Sequence, residues 1–81
     1  MRRDVYWYQS AAEELAQLAA RNARHATRIL LATRDFGRTS HGDLKKLEGS
    51  DEWRLRVGDW RVFLVLLGDV AYVSKIRDRQ D

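Results

Sequence analysis

Residues 53–62, with the sequence WRLRVGDWRV, constrain the fold of this chain more than any other segment. Apolar side chains alternate with arginines in its first half, which is the period-2 pattern of a half-buried strand. Gly58-Asp59 then predicts a two-residue type II′ turn, because glycine takes the positive φ of the first turn position without strain. The segment therefore predicts a β-hairpin whose register is set by its turn.

That register would place two arginines opposite each other. Val57 would face Trp60, and Arg56 would face Arg61 with Cβ atoms roughly 5 Å apart. Like charges in such a pair are destabilising unless a carboxylate or an external anion compensates them. No acidic residue of the hairpin is expected on that face, so the pair predicts an anion-binding site.

Length and composition indicate one small globular domain over residues 1–81. The formal net charge is +3 and the pI is about 9.7, which favours an acidic or polyanionic partner. The absence of cysteine excludes a disulfide framework and a thiolate metal site. The longest apolar run, residues 62–67, is too short to span a bilayer, so a cytoplasmic protein with no membrane partner is expected.

The N-terminal half predicts a strand followed by a helical hairpin. Residues 4–8 are rich in aromatic side chains and favour a strand. Ser10 and Glu13 form a capping-box pattern that opens the first helix, and a second helix is expected from Ala23 to about residue 36, with Gly37 as its C′ residue. The inward stripe of the first helix would contain Ala12, Leu15, Ala16 and Ala19. The inward stripe of the second would contain Ala26, Ile29, Leu30 and Thr33.

The C-terminal half predicts three antiparallel strands. Residues 38–43 favour a loop, and Gly68-Asp69 repeats the Gly-Asp turn before a last strand over residues 70–76. The predicted fold class is α+β, in the order β-α-α-β-β-β, with a helical hairpin packed on one face of a small, mainly antiparallel twisted sheet. The face toward the helices would gather Leu55, Val57, Trp60, Val62, Leu64 and Val73. The opposite face would gather Arg54, Arg56, Arg61, Phe63, Tyr72 and Ser74.

A sheet face that combines arginines with aromatic rings favours single-stranded RNA as a ligand. Guanidinium groups bind phosphate oxygens bidentately, and aromatic rings stack on bases. A solvated arginine-rich face without a ligand is the alternative interpretation. His25 and His41 have no spacing that indicates a catalytic triad or a metal site, so neither a metal nor a cofactor is expected.

The C-terminal half also resembles the RelE/ParE toxin superfamily. Residues 43–49, DLKKLEG, are followed by WRLRVGDWRV and by a strand ending near Arg79. These segments are similar to that family's K-x-L-x-G and W-R-L-R-V-G-D-[YW]-R-V sequence motifs. The resemblance covers almost the whole chain and implies the same β-α-α-β-β-β fold. It also implies the toxin of a bacterial type II toxin–antitoxin pair, with a cognate antitoxin as its partner in a hetero-oligomer.

RelE-like members cleave messenger RNA in the ribosomal A site, by attack of a ribose 2′-OH on the adjacent phosphate. The resemblance implies that Arg61 and Arg79 hold the scissile phosphate, while Arg54 and Arg56 hold flanking phosphates or stabilise the transition state. The ribosome and messenger RNA would then be partners as well. Further RNA contacts are expected from Lys45, Lys46, Phe63, Tyr72 and Arg77.

Two departures from the RelE pattern leave other functions open. The tyrosine that RelE carries near its C-terminus has no counterpart within residues 1–81, and arginine replaces lysine at positions 54 and 56. Because a guanidinium keeps its proton, the sequence offers no obvious general base. The alternatives are a ParE-like poison of DNA gyrase and a catalytically inactive relative that binds only its antitoxin.

Overall fold

The computed structural model describes residues 2–79, which form two helices and a five-stranded sheet. The elements are β1 Asp4–Trp7, α1 Gln9–Arg21, α2 Ala23–Thr39, β2 Asp43–Lys46, β3 Glu52–Val57, β4 Trp60–Leu67 and β5 Val70–Asp78. The sheet order is β1-β5-β4-β3-β2, in which β1 runs parallel to β5 and every other pair is antiparallel. The predicted α+β class is confirmed. No helix within residues 2–79 has the length and apolar character needed to cross a membrane.

The structure adds one strand to the predicted order. Residue 43 was expected to lie in a loop, but β2 pairs antiparallel with β3 and places Leu44 opposite Leu55. Leu44 is half-buried while its neighbours Asp43 and Lys45 are exposed. One apolar residue between charged ones is too short a pattern to indicate a strand, so β2 depends on its pairing with β3.

Both Gly-Asp turns fix the predicted registers. Val57 lies opposite Trp60 across the first turn, and Leu67 lies opposite Val70 across the second. The first turn residue has φ of 60° at Gly58 and 58° at Gly68. Among residues 2–79 the only non-glycine residue with positive φ is Ser40, so both aspartates have the negative φ of a type II′ turn.

The core lies between the helices and one face of the sheet. All six residues predicted for the inward face are buried: Leu55, Val57, Trp60, Val62, Leu64 and Val73. The helices contribute Ala11, Leu18, Ala26, Ile29, Thr33 and Phe36. The hydroxyl of Thr33 donates a 2.7 Å hydrogen bond to the Ile29 carbonyl, which satisfies the one polar side chain in this set.

The first helix is oriented differently from the prediction. Ala12, Ala16 and Ala19 are exposed, and they line an open groove between the helices, together with the half-buried Leu15 and the exposed Leu30 of α2. The helix begins at Gln9, without a side-chain cap, so the predicted capping box at Ser10 is wrong. Only Tyr8 separates β1 from α1, and its N–H donates to the Val73 carbonyl at 2.9 Å while its carbonyl accepts from Ala12. The sheet therefore sets the start and orientation of α1.

Gly37 lies inside α2 and does not end it, contrary to the prediction. The helix continues to Thr39 and ends at Ser40, whose φ is 61° and whose N–H donates to the Phe36 carbonyl at 2.7 Å. The lack of a side chain at Gly37 lets α2 approach β1, where the Arg3 N–H donates to the Gly37 carbonyl at 2.6 Å. Gly37 is thus a contact point between a helix and a strand.

Candidate functional site

The β3–β4 turn and the end of β5 enclose a small cleft with a volume of about 190 Å³. Its lining consists of Arg54, Arg56, Gly58, Asp59, Trp60, Arg61 and Arg79. This arginine cleft contains all four arginines that the sequence assigns to catalysis, although they come from β3, β4 and the residue after β5. A cleft of this volume is large enough for a small oxyanion.

Strand register explains how these arginines converge. Arg56 lies opposite Arg61, as predicted, and Arg61 lies opposite Arg77 on the other side. Arg79 comes to the same place because its backbone N–H donates to the Asp59 carbonyl at 2.9 Å. That hydrogen bond fastens the end of β5 to the turn between β3 and β4.

Backbone and carboxylate oxygens orient three of the guanidinium groups, of which Arg56 donates from its Nε atom to the Gly58 carbonyl at 3.4 Å. The Arg61 Nη2 atom donates to the Asp78 carbonyl at 2.6 Å, and the Arg79 Nη1 atom lies 3.3 Å from the Asp59 Oδ1 atom. Arg61 is half-buried, whereas Arg79 is exposed over 65% of its side chain. Arg61 is therefore a partly buried part of the cleft wall, and Arg79 is a largely exposed cation at its rim.

Arg54 has an unsatisfied donor inside this region. Its Nε atom is buried and makes no hydrogen bond to any of residues 2–79. A buried donor without a partner costs about 1–3 kcal/mol, so an oxyanion that accepts this hydrogen bond would be stabilised here. Arg54 lies between Lys45 of β2 and Phe63 of β4 in the strand register.

Two carboxylates lie near the arginines, and one of them corrects the sequence analysis. The hairpin was expected to carry no acidic residue on this face, but Asp59 of its turn lines the cleft. Asp43 of β2 lies opposite Arg56. The cleft lining still contains four arginines and one carboxylate, so positive charge dominates it.

Three of the residues predicted to contact RNA lie on the same sheet face as the cleft. Lys45 is exposed beside Arg54. Phe63 is buried beneath Lys75, whose Nζ atom lies 4.8 Å from the ring centroid. Tyr72 belongs to the next cross-strand row, opposite Val65. Their assignment to RNA stays a prediction.

The remaining residues, Lys46 and Arg77, make intramolecular contacts, although Arg77 also belongs to the sheet face of the cleft, opposite Arg61. The Lys46 Nζ atom donates to the Ser50 carbonyl at 2.7 Å. The Arg77 guanidinium forms an ion pair with Glu14 of α1 and also donates to the Ile76 carbonyl at 2.7 Å. The charge of Arg77 is thus already compensated within the fold, and its assignment to RNA also stays a prediction.

The histidines lie outside the cleft lining. The Trp60 indole Nε1 atom donates to His25 Nδ1 at 3.2 Å, which holds the Trp60 ring against α2 on the helical side of the sheet. His41 is exposed. Within residues 2–79, no group of three or more histidine and carboxylate side chains is arranged to hold a metal ion.

Three residues of this region were missed by the sequence analysis. Asp59 and Trp60 were assigned only to the turn and to the core, yet both line the cleft. Lys75 was not placed on the outer face, because strict alternation from Tyr72 directs it inward. The polar Gly-Asp turn flanked by arginines was a usable signal for Asp59, whereas no sequence signal indicated the position of Lys75.

Solved structures provide the comparison that decides the fold family. No protein-family model and no curated protein matches the chain. A chain of the RelE–RelB complex from Pyrococcus horikoshii matches with a TM-score of 0.78 and 25% identity, over 98% of this chain and 97% of that one. A chain of the YoeB–YefM complex from Staphylococcus aureus matches with a TM-score of 0.75 and 13% identity, over 95% and 97%.

The YoeB/ParE toxin from Agrobacterium tumefaciens also matches, with a TM-score of 0.74 and 20% identity over 93% of this chain and 96% of that one. This chain has the RelE/YoeB toxin fold. The resemblance seen in the C-terminal sequence is therefore confirmed at the level of the fold and extends to the N-terminal half. In this RelE/YoeB-like chain, the arginine cleft lies on the sheet face opposite the helical hairpin.

Proposed function

We propose that this RelE/YoeB-like chain is a type II toxin that cleaves messenger RNA on the ribosome, in the bacterial cytoplasm. The main support is the arginine cleft, in which four guanidinium groups surround a volume suited to an oxyanion. Guanidinium forks match phosphate oxygens in geometry and charge. A ribose-phosphate chain crossing this face would bring a phosphodiester among four permanent positive charges.

The proposed reaction is attack of a ribose 2′-OH on the adjacent phosphate. The O2′–P bond forms while the P–O5′ bond breaks, which leaves a 2′,3′-cyclic phosphate and a 5′-oxygen that takes up a proton from water. The crowded phosphorane carries extra negative charge in the transition state. Fixed cations at that point stabilise the transition state more than the ground state. Arg61 and Arg79 are the best candidates to hold the scissile phosphate, while Arg54 and Arg56 contact its neighbours or the developing charge.

The reaction also needs a proton acceptor for the 2′-OH. Guanidinium groups cannot serve, since they remain protonated at neutral pH. Asp59 is the one carboxylate among the residues that line the cleft. Its position next to Arg79 makes it the candidate proton acceptor within this chain.

A reconstituted translation reaction tests the proposal. Adding the protein should produce new 5′ ends in a messenger that is being translated, and Arg61→Ala should abolish them. Arg34→Ala is the matched control, because Arg34 is an exposed arginine of α2 that does not line the cleft. Intact messenger in the presence of the wild-type protein would contradict the proposal. Trapped gyrase–DNA cleavage complexes would instead indicate a ParE-like target.

We also propose a cognate antitoxin as the partner of this chain. Two of the matching structures are RelE–RelB and YoeB–YefM complexes, the second from Staphylococcus aureus. A groove of about 500 Å³ between β1 and α2 has an apolar floor that includes Val5, Trp7 and Leu30. Its rim carries the arginines Arg2, Arg3, Arg34 and Arg38. An antitoxin segment with alternating acidic and apolar side chains fits this combination.

Charge reversal distinguishes the two surfaces that an acidic antitoxin could contact. If the groove is the docking site, Arg34→Glu with Arg38→Glu should weaken the complex at low salt, and Arg54→Glu with Arg61→Glu should have a smaller effect. Isothermal titration with the antitoxin encoded beside this chain provides the measurement. An affinity that neither pair of substitutions changes would contradict electrostatic docking.

A further inference from the structure

Three tyrosines form a cluster on the outer face of the sheet, beyond the arginine cleft. The Tyr6 and Tyr72 rings are stacked, with centroids 5.9 Å apart and planes at 29°. Tyr8, the residue after β1, brings its ring to 6.0 Å from the same Tyr72 ring. Tyr6 and Tyr8 remain 54% and 44% exposed. None of the three belongs to the core or lines the cleft.

The cluster is continuous with the basic part of the sheet face. Tyr6 lies opposite Tyr72, which lies opposite Val65 of β4. Arg61 is four residues earlier in β4, so about 13 Å along the strand separates its row from the tyrosine row. Phe63 and Lys75 occupy the row between them. A bound polymer could therefore contact arginines, a lysine and exposed rings in succession on one surface.

The carboxylate on the row of the tyrosines is partly compensated, whereas the exposed Asp4 of β1 lies one row beyond Tyr6 on the same face. Glu52 lies opposite Val65 on the row of the tyrosines. Its carboxylate accepts a 2.6 Å hydrogen bond from the Ser74 hydroxyl and lies 3.9 Å from the Lys75 Nζ atom. The one carboxylate of that row is therefore partly compensated, and Lys75 keeps a cation between the cleft and the rings.

The geometry of the rings suits nucleobases. Ring contacts with Tyr72, stacked for Tyr6 and tilted for Tyr8, hold both side chains in place, so a base that adds to the cluster immobilises few additional side-chain rotamers. Aromatic platforms beside cationic grooves bind single-stranded nucleic acid with little sequence preference, because every base has a π face. Duplex RNA would not suit the cluster, since its bases are stacked on one another.

We propose that Tyr6, Tyr8 and Tyr72 bind the bases of a single-stranded RNA whose phosphates occupy the arginine cleft. Because it takes RNA as the ligand, this inference rests on the proposed function. It adds a base-binding surface to a phosphate-binding one. The cluster accounts for affinity over several nucleotides, and the cleft accounts for the position of the reacting phosphate.

Binding of two labelled oligonucleotides tests the inference. The first is a 2′-O-methyl RNA, which cannot be cleaved by its own 2′-OH, and the second is a fully abasic oligonucleotide of the same length and charge. Fluorescence anisotropy would be measured for the wild type, for Tyr6→Ala with Tyr8→Ala, and for Tyr6→Phe with Tyr8→Phe. The alanine pair should lose at least about fivefold in affinity for the RNA, while the phenylalanine pair keeps it.

The abasic oligonucleotide separates stacking from charge. It should bind the wild type and the alanine pair equally, because it presents phosphates without bases. Equal losses for both oligonucleotides, or no loss for either, would overturn the base-binding role. If the wild type binds neither oligonucleotide, both proposals are contradicted. If Arg61→Ala loses binding of both oligonucleotides while the tyrosine variants bind as the wild type does, the result supports the arginine cleft and refutes the base-binding role of the tyrosine cluster.

Discussion

The Asp59 carboxylate lies 3.3 Å from the Arg79 guanidinium, and the Asp59 carbonyl accepts a 2.9 Å hydrogen bond from the Arg79 N–H. Both side chains are largely exposed, at 69% and 65%. An exposed ion pair contributes at most about 1 kcal/mol, so the backbone hydrogen bond is the main link between β5 and the turn. The carboxylate is thus available for chemistry without being essential to the fold.

Asp59→Asn should separate binding from cleavage. The amide keeps the size of the side chain and removes the negative charge of the cleft lining, so binding of uncleavable RNA should tighten severalfold at low salt. Single-turnover cleavage should fall by about 100-fold or more if Asp59 accepts the 2′ proton. Anisotropy and quenched-flow cleavage provide the two measurements. Weaker RNA binding by Asp59→Asn would contradict the expected electrostatic effect of this carboxylate. Unchanged cleavage together with tighter binding would contradict its role as acceptor of the 2′ proton.

The salt dependence of RNA binding should report the arginines individually. Each phosphate contact on a single strand contributes about 0.7 to the slope of log K against log salt concentration. Arg54→Gln and Arg61→Gln should each lower that slope by about this amount. Arg34 lies on α2 outside the cleft lining, so Arg34→Gln should leave the slope unchanged. Equal slopes for all three variants would indicate that the cleft holds no phosphate.

Glu14 should contribute to stability through the edge of β5. Its Oε1 atom accepts a 3.1 Å hydrogen bond from the Ile76 N–H, and its carboxylate pairs with Arg77. Glu14→Ala leaves both donors without this acceptor and should cost about 1–3 kcal/mol of unfolding free energy. Glu14→Gln should cost less, since an amide oxygen can still accept from Ile76. Equilibrium unfolding in urea measures both.

Glu13→Ala is the control for the same helix. Glu13 is exposed and its carboxylate accepts only a 3.2 Å bond from the exposed Gln9 side chain, so the change should stay within about 0.5 kcal/mol. Similar losses for Glu13→Ala and Glu14→Ala would show that removal of a negative charge from the N-terminal half of α1, and not the contact with β5, determines the effect.

Local chemistry made the hairpins predictable from the sequence. A two-residue turn with glycine first leaves one register, and that register places Arg56 opposite Arg61 whatever the rest of the chain does. The residues of the inward sheet face could also be predicted, because side chains alternate between the two faces along a strand. The convergence of Arg54 and Arg61 on one side of the hairpin needed only these two rules.

The part of the outer sheet face that β5 contributes depends on an irregular register and on contacts distant in sequence. The register between β4 and β5 shifts at Phe63 and Leu64, where Ser74 is the extra residue of β5. Ile76 is therefore buried, and Lys75 and Arg77 join the outer face. Strict alternation from Val73 gives the opposite assignment. The partner of Arg77 is Glu14, 63 residues earlier, and no local pattern indicates a contact between a helix and the edge of a strand that far away.

Gly37→Ala should destabilise the fold, although alanine is the better helix former. In an exposed helix the change would gain about 1 kcal/mol. At this position an added Cβ would lie 2.6 Å from the Val5 Cγ2 atom and 3.0 Å from the Arg3 carbonyl oxygen. Because the carbonyl belongs to the backbone of the segment that leads into β1, relief requires that segment to shift, and overpacking of this kind costs about 1–3 kcal/mol.

The Val5→Ala background provides the matched control for Gly37. It removes the Cγ2 atom, so Gly37→Ala should cost less there than in the wild type, and a double-mutant cycle in urea measures the difference. A coupling near zero would mean that the Arg3 carbonyl alone limits the approach of α2. Stabilisation by Gly37→Ala in the wild type would mean that β1 moves away from α2 at little cost. The hydrogen bond from the Arg3 N–H to the Gly37 carbonyl should then weaken, and faster amide exchange at Arg3 would reveal this.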